Sequence, residues 1–128
     1  MDGKPVKLSD LKGKVVLVDF WATWCGPCVQ EMPNVKRAYD EYEKKGFRIL
    51  GVSLDHDRNK LDAYVKAQGL KWPQQFDGQG WGNEVARAYG VRSIPHTVLV
   101  DRNGKIARIG VRGPVLAPAI EELLAEKS

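Results

Sequence analysis

Two cysteines stand in one tetrapeptide, Cys25-Gly26-Pro27-Cys28, and no others occur in the 128 residues. A Cys-x-x-Cys spacing at a helix start puts both sulfurs on neighbouring positions of the first turn, within reach of a disulfide. Orphan N–H groups and the positive end of the helix dipole favour a thiolate there over a thiol. Gly26 and Pro27 limit the loop to conformations compatible with both the bridge and the helix start. The chemistry expected is a reversible dithiol. Cys25, at the loop edge, is the expected exposed nucleophile of low pKa, and Cys28, one turn in, the shielded thiol that resolves a mixed disulfide. A static bridge closing so short a loop would remove little chain entropy and make a poor staple. A four-coordinate zinc site would need two further ligands, and the chain has two histidines, His56 and His96, and no second Cys pair. No metal site is therefore expected.

The elements that must position this pair are readable on either side of it. Val15-Val16-Leu17-Val18-Asp19-Phe20 is a nearly all-apolar, β-branched run, as in a strand covered on both faces. After Cys28, residues Met32, Val35, Tyr39 and Tyr42 continue one helix face, and Pro27 suits the first helical position. Pro33 interrupts the backbone bonding of that helix and is expected to kink it, and Lys44-Lys45-Gly46 closes it. Phe47–Leu54 reads as a second buried strand and 60–68 as a short amphipathic helix stopped by Gly69. The stretch 70–82 reads as loop, and Asn83 caps a brief helix through Tyr89. Pro95–Val100 and Lys105–Ile109 flank Asp101-Arg102-Asn103-Gly104, whose Asn-Gly is a hairpin signal, and Leu116, Ile120, Leu123 and Leu124 mark a final helix. This order implies an α/β domain with helices on both faces of a mixed sheet.

Composition narrows the function classes. The length fits one domain, 1–128, large enough to bury a core without disulfide staples. The net charge of +4 is spread along the chain, which gives no sign of nucleic-acid binding. No run is apolar and long enough to span a membrane, and no export signal follows Met1. Asp19 stands apart from the rest of its strand. Either it ends the strand facing water, or it is buried and must be protonated or partnered.

The stretch Val18-Asp19-Phe20-Trp21-Ala22-Thr23-Trp24-Cys25-Gly26-Pro27-Cys28 resembles the thioredoxin superfamily, as does Arg92-Ser93-Ile94-Pro95 before the hairpin. The resemblance implies a thioredoxin fold and a cis Pro95 beside the sulfurs. It also implies that the backbone of Ile94 pairs with substrate peptide. Asp19 becomes a buried carboxyl of raised pKa that takes the proton of Cys28 as that thiol attacks. Trp24, Gly26, Pro27 and Gly113 are expected on the substrate-binding surface, Gly113 being equally readable as a turn glycine. Trp21 is expected in the core; His96, next to Pro95, could reach the sulfurs but reads rather as a strand histidine without a catalytic role. The loop aromatics Trp72, Phe76 and Trp81 are expected to be core under a long connection. Plain thioredoxins resemble one another in a lysine on the strand beside the acid, whereas Ile49-Leu50-Gly51-Val52-Ser53-Leu54 has none.

The insertion at 57–82, between the active-site helix and the cis-Pro strand, resembles the TlpA/ResA-type branch, whose extracytoplasmic thiol–disulfide oxidoreductases include those serving cytochrome c maturation. So does the lead-in, 1–14. The resemblance implies exchange with protein thiols and disulfides, recharging by an upstream dithiol donor, and no cofactor beyond the Cys25–Cys28 couple. It also implies a soluble monomeric domain from an exported or membrane-tethered bacterial precursor, with Met1 added; a natural cytoplasmic start is the alternative. The Gly-Pro dipeptide points to a reductant. Two other functions use the same residues. One is a Cu(I) metallochaperone with Cys25, Cys28 and His96 as ligands, although copper-delivering relatives place three residues between their cysteines. The other is a thiol peroxidase, for which Thr23-Trp24-Cys25 is off register by one.

Overall fold

The computed structural model describes residues 11–126, so the first ten residues of the expected lead-in lie outside it. Five strands, β1 (Val15–Trp21), β2 (Phe47–Ser53), β3 (Gln74–Gln75), β4 (His96–Val100) and β5 (Ile106–Ile109), form one mixed sheet in the order β3-β2-β1-β4-β5. β1 runs parallel to β2 and antiparallel to β4. The α-helices among the described residues are α1 (Gly26–Tyr42), α2 (Arg58–Gln68), α3 (Glu84–Ala88) and α4 (Leu116–Ala125). This is the thioredoxin fold, a mixed sheet with helices on both sides.

Every residue of β1 is buried, as its unbroken apolar run requires. Successive strand residues point to opposite faces. Phe20 packs on Tyr89 just after α3 (ring centroids 5.4 Å apart), and Trp21 packs on Tyr64 of α2 (5.3 Å). The central strand is thus covered on both sides. At its C-terminal end the chain turns through Ala22–Cys25 directly into α1, with Cys25 N–H donating to the Ala22 carbonyl (3.1 Å). The helix runs as one element through Pro33. A short 3₁₀ turn, Glu43–Lys45, follows it, and Gly46 stops it in the left-handed region at φ 106°.

Two features of the 70–82 stretch differ from the expectation of a loop. Gln74–Gln75 pairs in parallel with Gly51 and Val52 and makes a fifth strand. This pairing uses the free edge of β2 and needs no apolar pattern of its own, so no periodicity marks it. The Gln74 amide fills the space beside Gly51: a Cβ there would overlap it. Its Oε1 accepts a hydrogen bond from the Trp21 indole Nε1 (2.9 Å). The loop aromatics also divide. Trp72 is buried against Tyr39 of α1, Phe76 is half-buried under the Arg58 guanidinium, and Trp81 is exposed. The expectation of a core role fails for Trp81, because the glycine turn that carries it faces its indole outward.

Gly51→Ala should therefore break the Gln74–Trp21 bond and cost about 1–3 kcal/mol. Urea denaturation of Gly51→Ala, Gln74→Ala and the double variant tests this. The double variant should cost less than the sum, since the overlap exists only while Gln74 is present; strictly additive costs contradict it.

Candidate active site

Cys25 caps the N-terminus of α1, and its sulfur accepts from the Cys28 backbone N–H at 3.2 Å. Cys25 and Cys28 are joined by a disulfide, with Cα atoms 5.2 Å apart. The expected order of exposure holds but the amount does not. Cys25 is 6% exposed and Cys28 3%, so both are buried in the bridged form. Gly26 and Pro27 form the exposed rim beside them, with Pro27 in the first helical positions as expected. Trp24, immediately before Cys25, is 52% exposed.

The loop before Cys25 is held from below by a residue the sequence reading missed. Asp55, buried just past β2, accepts from Thr23 N–H (3.1 and 3.2 Å to its two oxygens), Thr23 Oγ1 (2.6 Å) and Ser53 Oγ (2.6 Å). Charge-assisted bonds of this kind are strong, and together they keep a buried carboxylate satisfied.

Asp19 is buried, which decides between the two readings of that residue. It pairs with Gly51 on β2 and Thr97 on β4. Burial raises its pKa to about 7, and the charge of Glu31 adds to the effect. Glu31 lies on α1 one turn beyond Cys28 and was also missed. Its Oε2 accepts from Gly113 N–H (2.7 Å) and from Asn34 Nδ2 (2.9 Å), and Asn34 Nδ2 also donates to the Gly113 carbonyl (3.1 Å). This clasp ties α1 to the 3₁₀ turn before α4. Gly113 has φ 62°, so the turn itself calls for glycine.

The Ile94–Pro95 peptide bond is cis. His96 pairs with Phe20, which puts Pro95 beside Trp21, at the end of β1 from which the Cys25 loop departs. The His96 ring packs on Phe20 (5.7 Å), on the strand face opposite to that of Asp19. Trp21 is core, as expected. Among the described residues, no group of three or more His, Cys, Asp or Glu could hold a metal ion, and no helix is long and apolar enough to cross a membrane.

Comparison with known proteins agrees with this geometry. The Redoxin family model matches residues 1–123. The thiol-disulfide oxidoreductase ResA of Bacillus thuringiensis is 36% identical over 97% of this chain and 69% of its own length. That of Oceanobacillus iheyensis is 39% identical over 97% of this chain and 62% of its own. This chain thus spans roughly two thirds of the length of these curated relatives. Among solved structures, the thioredoxin domain of a thiol-disulfide oxidoreductase from Bacteroides vulgatus superposes with a TM-score of 0.88 at 34% identity, covering 97% of this chain and 89% of that one. A thiol:disulfide interchange protein DsbE from Chlorobium tepidum gives 0.79 at 37% identity, covering 93% and 83%. The chain belongs to the Redoxin family, as a thioredoxin-fold thiol–disulfide oxidoreductase of the TlpA/ResA type.

Proposed function

We propose that this chain, acting as one domain over 1–128, reduces disulfides in protein substrates outside the bacterial cytoplasm and is recharged by an upstream dithiol donor. The observation that carries the reading is the Cys25–Cys28 bridge at the start of α1, with the Cys28 N–H directed at the Cys25 sulfur. In the reduced form that N–H and the helix dipole favour a thiolate on Cys25. The thiolate attacks one sulfur of the substrate disulfide. A mixed disulfide forms, and the other substrate sulfur leaves as a thiolate. Cys28 then gives up its proton to the Asp19 carboxylate and attacks the Cys25 sulfur. The second substrate thiolate leaves, and two electrons have passed from the dithiol to the substrate. Ile94 and Pro95, with Trp24, Gly26, Pro27 and Gly113, line the docking face for substrate peptide. The Gly-Pro dipeptide and the resemblance to reductive thioredoxins support the reducing direction, and the TlpA/ResA-type branch supports the compartment.

Cys28→Ser should leave the mixed disulfide unresolved, so substrate accumulates covalently on Cys25 and appears as a reducible adduct by mass spectrometry. Cys25→Ser should form no adduct and lose turnover. Insulin reduction at wild-type rates by both variants would contradict the reading.

Asp19 gives a pH signature. Below about 7 its carboxyl is protonated and cannot take the Cys28 proton. Resolution of the mixed disulfide should therefore speed up as pH rises through about 7 in the wild type. In Asp19→Asn that rise should vanish, with resolution slower by about tenfold or more above it. Stability moves the other way. Between 3.8 and about 7 the folded state keeps a proton that the unfolded chain has lost, so the fold weakens as pH rises across that window. Asp19→Asn should remove this loss, of at most about 4 kcal/mol, in urea denaturation at pH values on either side of the window. A parallel pH dependence in the two proteins contradicts the assignment.

A further inference from the structure

We propose that Trp81, carried by the 57–82 insertion, forms with Trp24 an aromatic platform that takes a large apolar side chain next to the reacting cysteine of the substrate. This rests on the thiol–disulfide reading above and assigns the insertion a part in choosing which cysteines Cys25 attacks. Trp81 is 48% exposed, close to the 52% of Trp24. Their ring centroids lie 6.1 Å apart with the planes inclined at 52°. Rings meeting at that angle touch without stacking face to face, so each indole keeps apolar surface open to a ligand.

The backbone beneath Trp81 is over-determined. Gly80 sits at φ 57°, and the His56 ring leaves no room for a Cβ there. His56 Nδ1 and the Gly78 carbonyl are bonded at 3.1 Å. Asp77 accepts from Gln79 N–H (3.1 Å) and Glu84 N–H (2.9 Å), closing the turn from both ends. Asn83, two residues after Trp81 and fully buried, donates from Nδ2 to the Ser53 carbonyl (3.1 Å) and the Gln75 Oε1 (2.8 Å). So much fastening is not needed to leave an indole idle in water.

Both tryptophans hang from the same residue. Ser53 holds Asn83 through its carbonyl, and its hydroxyl donates to Asp55, which holds Thr23 next to Trp24. The backbone on either side of the two indoles is thus fastened in the free protein, and a side chain laid against the open faces of the pair meets a pre-organised surface. The occupant follows from continuity with the reacting sulfur. Trp24 adjoins Cys25, so the group that reaches the platform belongs to the same segment as the attacked cysteine. The walls are aromatic, so that group is a Phe, Tyr, Leu or similar side chain beside it. Rigid aromatic pairs of this kind are the usual anchors of protein interfaces.

The test uses three chromogenic disulfides of thionitrobenzoate: one with a short peptide bearing Phe beside its cysteine, one with the same peptide bearing Ser there, and one with mercaptoethanol. The reduced protein converts each to two thiols while its own dithiol becomes the disulfide. Each peptide's kcat/KM is divided by the same variant's value for the mercaptoethanol probe. The wild type should prefer Phe over Ser by about 3- to 10-fold. Trp81→Ala should bring the ratio to about one, and Trp81→Phe should keep most of it. An equal Phe-to-Ser ratio in the wild type, or an unchanged ratio in Trp81→Ala, overturns the platform while leaving the exchange function standing. Failure of the wild type to release thionitrobenzoate from any of the three probes overturns the exchange function and the platform together.

Discussion

A buried carboxylate at the end of the second strand holds the reactive loop in place. Asp55 accepts both hydrogen-bonding groups of Thr23 and the hydroxyl of Ser53, and its own N–H is taken by the Ser53 hydroxyl at 3.1 Å. The turn from β1 into α1 has few residues in which to reverse direction and present a sulfur to a helix terminus. The fixed Thr23 adds to the Cys25–Ala22 backbone bond in placing Trp24 and Cys25. The donors of Thr23 and the Ser53 hydroxyl all meet the buried Asp55 carboxyl, where such bonds are strong and their loss is costly. The same strand end supports the insertion through Asn83. One small polar cluster therefore fastens both the loop that carries Trp24 and Cys25 and the turn that carries Trp81.

The second constraint is the placement of β1 at the centre of the sheet. A central strand must be apolar on both faces, yet this one carries Asp19. Its burial makes the neutral acid the stable form up to neutral pH, which is the range in which a group passing protons to and from a thiol is useful. Glu31 strengthens the effect by its charge, and at the same time fastens α1 to the turn at Gly113. A lysine opposite Asp19 would have the reverse effect. Position 51 is glycine, and the neutral amide of Gln74 occupies the space instead. The fold thus carries an ionisable group that weakens it, and a large apolar core led by Phe20, Trp21, Phe47 and Leu99 offsets that cost.

What could be read from the sequence was local. The β-branched run before the cysteines, the Cys-x-x-Cys spacing, the helix face through Met32 and Val35, the Asn83 cap and the Asn-Gly hairpin each depend on neighbours within a few positions. All are found where expected. What could not be read depends on partners far along the chain. Gln74 and Gln75 form a strand because the edge of β2 is free, not because their side chains alternate. Asp55 and Glu31 resemble any surface charge until Thr23 and Gly113 are seen against them. Trp81 is one of three aromatics in a glycine-broken stretch. Composition favours the core for all three, and only the turn built on His56 and Gly80 sends this one outward. Cys25 is buried in the bridged form, where its loop position alone suggests exposure.

Reversible exchange of the Cys25–Cys28 bridge, which closes too short a loop to strengthen the fold much, underlies the proposed function. Its most direct test is the reduction potential of the Cys25–Cys28 couple, measured by equilibration with dithiothreitol or glutathione redox buffers. A single two-electron transition at about −250 mV or below, toward the thioredoxin value and reversible in both directions, is the predicted result. A bridge that does not exchange with either buffer, or a couple near the value of about −120 mV typical of strong oxidants, would contradict it.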